Sequence, residues 1–493
     1  MRYPHRRRRS LVAAGAACAS ALLVLGACGS SPKSSSGGGN GGNSSSSTAA
    51  ASGGSSNTTA GGSSSGGSSS SGNSKQWAGK TLTVLDGAPT GATQKQTQAY
   101  YNLLSSQFHK ETGATLKWQY YSSPQQEVST IETSTVSGSG PDIISYGTSF
   151  VGTLWQTGDF QAFSPSDWKA IGGKSSFIAA DLFDSGLTSN NLIGIPNETN
   201  PFALAYNKAY FKKAGITSVP KSWTQLVADA KKLQSAVPGL TGAVGVDPQD
   251  PYDPWKNVYF IAVQDGSPGY VSTDSKKILL DSPDVEKAAD FYFSLNYKYH
   301  VVPNAALTWN SAEMDSAFEQ GKVAMVLLSA YGLPVKGTKL QGNLGYGLLP
   351  TIPYGMSKLP PGGKPIETET TGNYWAIPKY AGSLRPLALD FDRISTEPAI
   401  QLKQFKLLGW MPVTYPGVKA VEKADPAAKP FISAEESALP TSKIAAWSYV
   451  ETGMETALNN IASNLARTGS WSSSYADTQL TNANQAAQAH LGS

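Results

Sequence analysis

Residues 194–233 of this 493-residue chain read GIPNETNPFALAYNKAYFKKAGITSVPKSWTQLVADAKKL. The apolar run at 202–205 emerges from a segment rich in Pro and Asn, which cannot continue a helix. Ser222 is placed as a helix N-cap, and five apolar residues follow it at helical spacing: Trp223, Leu226, Val227, Ala230 and Leu233. The stretch therefore predicts a chain that crosses between two folded bodies and then continues as helices.

The first 27 residues have the composition of an export signal. They carry five arginines before an apolar run at 11–25, and this run is too short to span a membrane by itself. The segment ends in Leu25-Gly26-Ala27-Cys28, which resembles the lipobox of bacterial lipoproteins, where the Cys becomes the lipid-bearing N-terminus. We therefore expect a lipid at Cys28. The alternatives are an ordinary secreted protein cleaved near Ala27 and an uncleaved anchor.

Charge and cysteine content exclude several classes of function. The whole chain has 39 basic and 35 acidic residues, but the leader holds five of the basic ones and no acid, so 34 basic residues face 35 acidic ones beyond it. A nucleic-acid partner therefore has little electrostatic support. The only two cysteines are Cys18 and Cys28. The folded body thus has no disulfide and no thiolate for a metal or for catalysis.

Residues 29–74 are nearly all Ser, Gly, Asn, Thr and Ala. Such a segment has almost nothing to bury and cannot offset its ordering entropy, so we expect it to be disordered. Flexible-coil scaling gives a root-mean-square span of roughly 35–40 Å, enough to hold the body near a membrane as a tether.

The body alternates strand and helix patterns. A strand at 82–85 ends in Asp86-Gly87, a helical face follows at 100–108, and a second strand alternates at 116–120, which makes a βαβ opening. Continued alternation, interrupted by the crossing at 194–233, predicts two α/β lobes, each a twisted sheet with helices on its faces. Ligands in such sheets bind at the carboxyl ends of strands.

Several motifs resemble one family, the solute-binding proteins of bacterial ABC importers, and specifically the carbohydrate-binding group that includes maltose-binding protein. The resemblance covers roughly residues 80–465. Its motifs are Gly140-Pro141-Asp142-Ile143-Ile144-Ser145-Tyr146, Gly158-Asp159-Phe160, Tyr206-Asn207-Lys208 with Pro220-Lys221-Ser222-Trp223, Ala317-Phe318 with Gly321-Lys322 and Ala324-Met325, Gly345-Tyr346-Gly347, and Gly372-Asn373-Tyr374-Trp375.

The resemblance implies a periplasmic-binding-protein-like α/β fold with two lobes, a hinge and a cleft between the lobes. It divides the chain into a signal peptide at 1–27, the lipidated Cys and tether at 28–75, lobe 1 at 76–200 and 371–416, lobe 2 at 201–370 and 417–470, and a C-terminal tail at 471–493. The implied function is the capture of a sugar by hinge closure and its delivery to an ABC permease. The implied protein is a lipid-anchored monomer on the extracellular face of the membrane.

A sugar ring has an apolar face and a polar rim, so aromatic rings beside polar side chains suit it. Stacking one ring on a sugar face contributes about 1.5 kcal/mol. By resemblance, the aromatic candidates for ligand contact are Tyr146, Tyr252, Trp255, Tyr331, Trp375 and Trp447. The polar candidates are Asp86, Ser149, Asn200 and its neighbour Glu198. Each has packing in the core as its alternative, and Trp118 and Trp223 are assigned to the core.

No sequence pattern points to catalysis. The chain has four His, and no Gly-x-Ser-x-Gly, Walker or HExxH pattern is present. We therefore predict no catalytic residue, no metal and no cofactor. The alternatives are a secreted carbohydrate hydrolase with paired carboxylates and a binding lipoprotein that signals to a sensor.

Overall fold

The computed structural model describes residues 76–89, 94–122, 124–329, 331–333 and 336–492. The predictions of a signal peptide, a lipid at Cys28 and a disordered tether concern residues 1–75, which lie outside the described residues. Within the described ranges, no helix is long and apolar enough to cross a membrane.

The strands of the described chain form two separate sheets, one of five strands in the order β2-β1-β3-β9-β4 and one of four in the order β6-β7-β5-β8. In chain order the strands are β1 (Thr81–Gly87), β2 (Thr115–Tyr121), β3 (Ile143–Gly147), β4 (Gly194–Glu198), β5 (Ala203–Asn207), β6 (Val244–Gly245), β7 (Met325–Leu328), β8 (Leu344–Gly347) and β9 (Asn373–Ala376). The chain therefore passes from the first sheet to the second between β4 and β5, and returns between β8 and β9.

Helices cover both sheets. They are α1 (Gln94–Thr112), α2 (Pro124–Ser137), α3 (Val151–Thr157), α4 (Pro165–Ala170), α5 (Lys208–Lys213), α6 (Trp223–Ala236), α7 (Asp253–Gln264), α8 (Pro283–Tyr297), α9 (Ser311–Glu319), α10 (Arg385–Ser395), α11 (Pro398–Leu408), α12 (Tyr415–Ala424), α13 (Lys429–Glu436), α14 (Trp447–Thr468) and α15 (Ser473–Gln488). Helices α1, α10 and α11 pack together beside the first sheet, and α14 packs on α7 and α15 beside the second.

The structure confirms the crossing that residues 194–233 predict. β4 pairs with β9 in the first sheet, and four residues later β5 pairs with β7 and β8 in the second. The Ser222 side chain accepts the Gln225 N–H as the predicted N-cap of α6, and Trp223 is buried with its indole N–H donated to Gln264. An apolar strand after a helix-breaking segment, followed by a capped helix, is sufficient to fix this part of the fold.

Residues 385–408 are largely helical and form α10 and α11 with a break before Pro398, since a proline is best tolerated in the first turn of a helix. One segment differs from its sequence-based expectation. Residues 471–493 were assigned to a tail, but α15 lies there and buries Ala476, Leu480 and Ala483 in the core beside α14. The small residues of α15 recur at helical spacing, a signal that a composition-based assignment overlooks.

Strand pairing gathers the ends of five strands at one edge of the first sheet. β1, β2 and β3 run parallel, so their carboxyl ends meet there. β9 runs antiparallel to β3 and β4, which places Asn373 opposite both Gly147 and Glu198. Residues from five parts of the sequence thus lie along this edge, which is where open α/β sheets bind ligands.

Candidate functional site

Asp86 lies at the end of β1, where the sequence predicts a polar ligand contact. It is buried, and its two carboxylate oxygens accept hydrogen bonds from the Gly87 N–H (2.8 Å) and from the Tyr101 hydroxyl (2.8 Å). Burial raises the pKa of Asp86 to about 6 although these hydrogen bonds oppose the rise. A carboxyl group that is desolvated yet supplied with donors is held in a fixed orientation at the edge of the sheet.

Glu198 ends β4 at the same edge. Its carboxylate accepts one hydrogen bond from the Asn373 amide (2.7 Å) and one from the Asn200 amide (2.6 Å). Burial raises the pKa of Glu198 to about 8, and the negative charge of Asp86 adds to the rise. The structure thus brings Glu198, Asn200 and Asp86 of the predicted set together, with Asn373 as the residue that orients Glu198.

Glu127 lies in the first turn of α2, the helix that follows β2. It is only 5% exposed, and its Oε1 has no hydrogen-bond partner within the described part of the chain. Burial raises the pKa of Glu127 to about 8, with a further contribution from the charge of Asp86. The same two carboxyl groups raise the pKa of Tyr121, after burial, so Glu127 faces the edge that holds Asp86.

The second sheet contributes the start of α7. Tyr252 precedes this helix and is 47% exposed. The Lys256 ammonium lies 3.0 Å from Glu369 Oε1 and 5.9 Å from the centre of the Tyr252 ring. Burial disfavours the charged form of Lys256, but Glu369 and Asp253 outweigh it and raise its pKa above the usual value. The lysine is therefore a firmly charged partner of Glu369.

Glu451, in the first turns of α14, links the two sides. It accepts a hydrogen bond from the Ser149 hydroxyl (2.6 Å), just beyond β3, and one from the Trp447 indole (2.8 Å). Burial raises the pKa of Glu451 to about 7. Because Ser149 follows a strand of the first sheet while α14 packs on α7 beside the second, this bond joins the two sheet-and-helix bodies directly.

These residues are linked to one another by their charges. After burial, the charges of Glu451 and Glu127 act together to raise the pKa of Tyr252 to about 12, and Tyr252 in turn raises that of Tyr121. We define the central site as seven residues from both bodies: Asp86, Tyr121, Glu127, Glu198, Tyr252, Lys256 and Glu451. Within the described ranges, no group of three or more His, Cys, Asp or Glu side chains is arranged to hold a metal ion.

Tyr146 requires a correction, because the structure places it in the core. Its side chain is 0% exposed, its ring stacks on Tyr374 at 5.2 Å, and its hydroxyl donates to the Asp184 carbonyl. Successive side chains of a strand point to opposite faces. Ser145 is on the face that carries Asp86, and Tyr146 is therefore turned away from the central site into the packing beside α3.

Three further aromatic candidates are corrected for the same reason, since each is surrounded by other rings. Trp375 lies in the core against Phe391. Tyr331 stacks on Phe405 and donates its hydroxyl to Asp425, and Trp255 is buried against Trp447. Tyr146, Tyr331 and Trp447 fall in three different core clusters. The structure therefore does not bring these three rings together on one ligand surface.

Trp447 is buried but keeps a link to the central site, because its indole orients Glu451. Sequence reasoning missed Glu127, Lys256 and Glu451. Each carried a weak signal: an acid in the first turn of the helix after a strand, a lysine directly after Trp255, and an acid one helical turn after Trp447. These signals become specific only once the fold brings the three segments together.

With this geometry in place, comparison with known proteins identifies the class. Residues 91–400 match the model of the bacterial extracellular solute-binding protein family. The match covers more than half of the chain, and the chain therefore belongs to this family of extracellular solute-binding proteins.

Individual relatives are more distant. The chain is 27% identical over 195 residues to a binding protein of Brucella abortus (strain 2308), a match that covers 38% of this chain and 42% of the relative. The chain therefore spans about two fifths of the length of the curated relatives it matches.

Two solved structures share the fold along their whole length. The GacH receptor of Streptomyces glaucescens GLA.O, whose structures include a complex with acarbose, has a TM-score of 0.64 and 20% identity, over 83% of this chain and 99% of that one. A solute-binding protein of an ABC transporter from Thermotoga lettingae TMO, bound to α-D-tagatose, has a TM-score of 0.65 and 20% identity, over 84% and 100%. The fold is that of the two-lobed solute-binding proteins, as predicted.

Proposed function

We propose that this protein captures a sugar or oligosaccharide in the central site by closure of its two lobes and delivers it to an ABC permease. The observation that carries the proposal is the hydrogen bond from Ser149 to Glu451, which joins the two bodies beside the site. The family supplies the class, extracellular solute binding, and the two structural relatives named above were solved with acarbose and with tagatose.

The lobes of the proposal are 76–200 with 371–416, and 201–370 with 417–470. The first of these contains β1 to β4 and β9, and the second contains β5 to β8 and α14. The two crossings touch each other, because the Thr199 hydroxyl lies 2.8 Å from that of Thr371 and donates to Glu435 on α13. A short, hydrogen-bonded pair of crossings is a suitable hinge for rotation of one lobe against the other.

Closure would complete the binding surface. In an open form, a sugar held at the edge of the first sheet would meet Asp86, Glu198 and Asn200, while Tyr252 and Glu451 would be supplied only as the second lobe approaches. The ligand therefore shifts the equilibrium toward the closed form through contacts that exist only there. Hydrogen bonds to charged groups contribute about 1.5–3 kcal/mol each. A micromolar complex, about 8 kcal/mol, is within reach of this set and one aromatic ring.

The test uses the purified protein and a panel of neutral and amine-bearing mono- and oligosaccharides. Binding of at least one sugar should raise the melting temperature and change tryptophan fluorescence, since Trp447 contacts Glu451 at the site. No response to any member would contradict sugar capture. A steady release of reducing ends from a bound oligosaccharide would favour the hydrolase alternative instead.

The proposed location is the extracellular face of the membrane, through a lipid on Cys28. Expression in the native host with labelled palmitate should give a labelled, membrane-associated protein. A Cys28→Ser variant should lose the label and appear in the soluble fraction, whereas Cys18→Ser, the matched control within the leader, should behave as wild type. Membrane association of Cys28→Ser without label would favour an uncleaved anchor.

A further inference from the structure

The charges of the central site do not balance. Its carboxyl groups are Asp86, Glu127, Glu198 and Glu451, and within the part of the chain that the structure describes the cation that acts on this set is Lys256, through Glu451. That lysine already forms an ion pair with a fifth carboxylate, Glu369, at 3.0 Å. The positions inside 76–493 that the structure leaves undescribed are Thr, Gly, Ala, Ser, Pro and Val, so their sequence adds no charge.

The donors that face these carboxyl groups are neutral. Asp86 accepts from a tyrosine hydroxyl and a backbone N–H, Glu198 from two side-chain amides, and Glu451 from a serine hydroxyl and an indole. Glu127 Oε1 has no partner among the residues that the structure describes, although the residue is more than nine-tenths buried. Buried carboxylates are costly unless they are protonated or paired with a cation. A ligand is the remaining source of such a cation.

The four groups also repel one another. The charge of Asp86 raises the pKa of both Glu127 and Glu198, after the larger effect of burial. A neutral sugar offers only hydroxyl donors and leaves this repulsion in place. An ammonium group offers three N–H donors together with a positive charge, and charge-assisted hydrogen bonds are roughly twice as strong as neutral ones. The half-exposed Tyr252 ring supplies an aromatic face that also attracts cations.

We infer that the ligand of the central site is a sugar that carries a protonated amine, an amino sugar or an amine-bearing oligosaccharide, whose ammonium is held by Glu127 together with Asp86. This inference rests on the proposed function and narrows its substrate class. Glu127 is the specificity-determining residue, because its Oε1 is an acceptor that no group in the described part of the chain satisfies.

The first experiment compares matched ligands by isothermal titration calorimetry at pH 6. The probes are glucosamine against glucose, galactosamine against galactose, and the deacetylated tetramer of β-1,4-glucosamine against both its N-acetylated form and cellotetraose, beside the neutral panel described above. The tightest ligand should be an amine-bearing one, at least about tenfold tighter than its neutral partner, as one charge-assisted hydrogen bond provides.

The possible results distinguish failure of the amine-bearing-sugar inference from failure of the proposed sugar capture. A neutral or N-acetylated sugar that binds as tightly as every amine-bearing one overturns the inference and leaves sugar capture intact. Absence of binding to every sugar, neutral or amine-bearing, overturns the proposed function and the inference with it.

A variant pair assigns the effect to Glu127. Glu127→Gln keeps the size of the side chain and removes its charge, and it should reduce the amine-to-neutral affinity ratio about tenfold. Glu132→Gln, on the same helix but exposed, should leave that ratio at the wild-type value. A wild-type ratio in Glu127→Gln would overturn the assignment of specificity to this residue.

A second measurement needs no variant. At pH 6, Glu127, Glu198 and Glu451 hold protons that a bound ammonium would displace. Titration in two buffers of different ionisation enthalpy should therefore show proton release with the amine-bearing sugar. The charged and titratable neighbours that share in this balance are Asp86, Tyr121, Tyr252, Lys256 and Glu369. Absence of proton release with a tightly bound amine-bearing sugar would contradict contact between ammonium and carboxylate.

Discussion

On the side of the first sheet, Asp86 and Glu198 accept hydrogen bonds from hydroxyl and amide groups, and no cation of the described residues pairs with them. On the side of the second sheet, Lys256 is a cation, but it is already neutralised by Glu369. The first side therefore offers a ligand carboxyl groups that have no cationic partner. The second side offers the exposed ring of Tyr252, while its lysine is already paired with Glu369. The contrast teaches that the two bodies have different roles: the first supplies the carboxyl groups for a ligand, and the second supplies an aromatic ring and a stabilising ion pair.

The largest predicted effect that tests this difference between the two sides concerns Lys256. Replacing it by Met leaves Glu369, whose side chain is almost fully buried, without its partner, and loss of one member of a buried pair costs about 3–5 kcal/mol. Urea denaturation of Lys256→Met should show a loss of unfolding free energy in this range. The variant Lys256→Met/Glu369→Met should recover at least half of it.

The control is an ion pair of the same chain whose lysine is exposed. Lys287 is 62% exposed and lies 2.6 Å from Asp265, whose side chain is 8% exposed, and a pair with a solvent-screened cation contributes about 0–1 kcal/mol. Lys287→Met should therefore change the unfolding free energy by less than about 1 kcal/mol. If Lys256→Met were equally mild but abolished sugar binding, Lys256 would be a ligand group and the division between the two sides would fail.

A smaller effect follows from the pKa values on the first side. Burial raises the pKa of Glu127 and Glu198 to about 8, whereas a glutamate in the unfolded chain titrates near 4.3. The folded protein therefore keeps protons that the unfolded chain has released. Their contribution to stability is complete below about pH 4.3 and is lost as the pH rises through 8.

Without ligand, the unfolding free energy should thus fall by about 2 kcal/mol between pH 7 and pH 8. Denaturant titrations at a series of pH values measure this slope, and Glu127→Gln should make it shallower. Asp86, Tyr121, Tyr252, Lys256 and Glu451 face these groups and contribute to the balance. A protein that is more stable at pH 8 would mean that the carboxylates already have cationic partners.

The smallest predicted effect tests whether the second side contributes to the affinity for sugar. Tyr252→Ala removes the exposed ring, and a sugar face of ~50–60 Å² is worth about 1.5 kcal/mol, so affinity should fall roughly tenfold. Tyr354→Ala, another exposed tyrosine of the second body, is the matched control and should bind as wild type. Calorimetric titration of both variants decides the matter, and equal affinity would remove Tyr252 from the site.

Strand ends were predictable from the sequence, and ring orientation was not. Asp86 could be located because the strand pattern at 82–85 and the rule that ligands bind at carboxyl ends need only local information, whereas Glu198 was named by resemblance. Tyr146 was assigned from its place in a motif, but a shift of one residue along a strand turns a side chain to the opposite face. Its contact with Tyr374 reverses the assignment.

The site residues that sequence reasoning missed depend on contacts between segments that are far apart in the sequence. Glu451 meets Ser149 across 302 positions of sequence, and Glu127 raises the pKa of Tyr252, which lies 125 positions further along the chain. No sequence periodicity predicts such long-range contacts. Thr199, in the crossing proposed as a hinge, could be located approximately, since it follows the last residue of β4 in the quoted stretch, but its bond to Glu435 on α13 again needed the structure.

The central claim is that the two lobes close over a ligand, and the folded body has no native cysteine that would interfere with labelling. Spin labels at Glu132→Cys on α2 and Asp284→Cys on α8, both exposed, report the distance between lobes by pulsed electron paramagnetic resonance. Addition of the tightest sugar of the panel should replace a broad or longer distribution by a narrower, shorter one. A distribution that is identical with and without a saturating sugar would contradict closure.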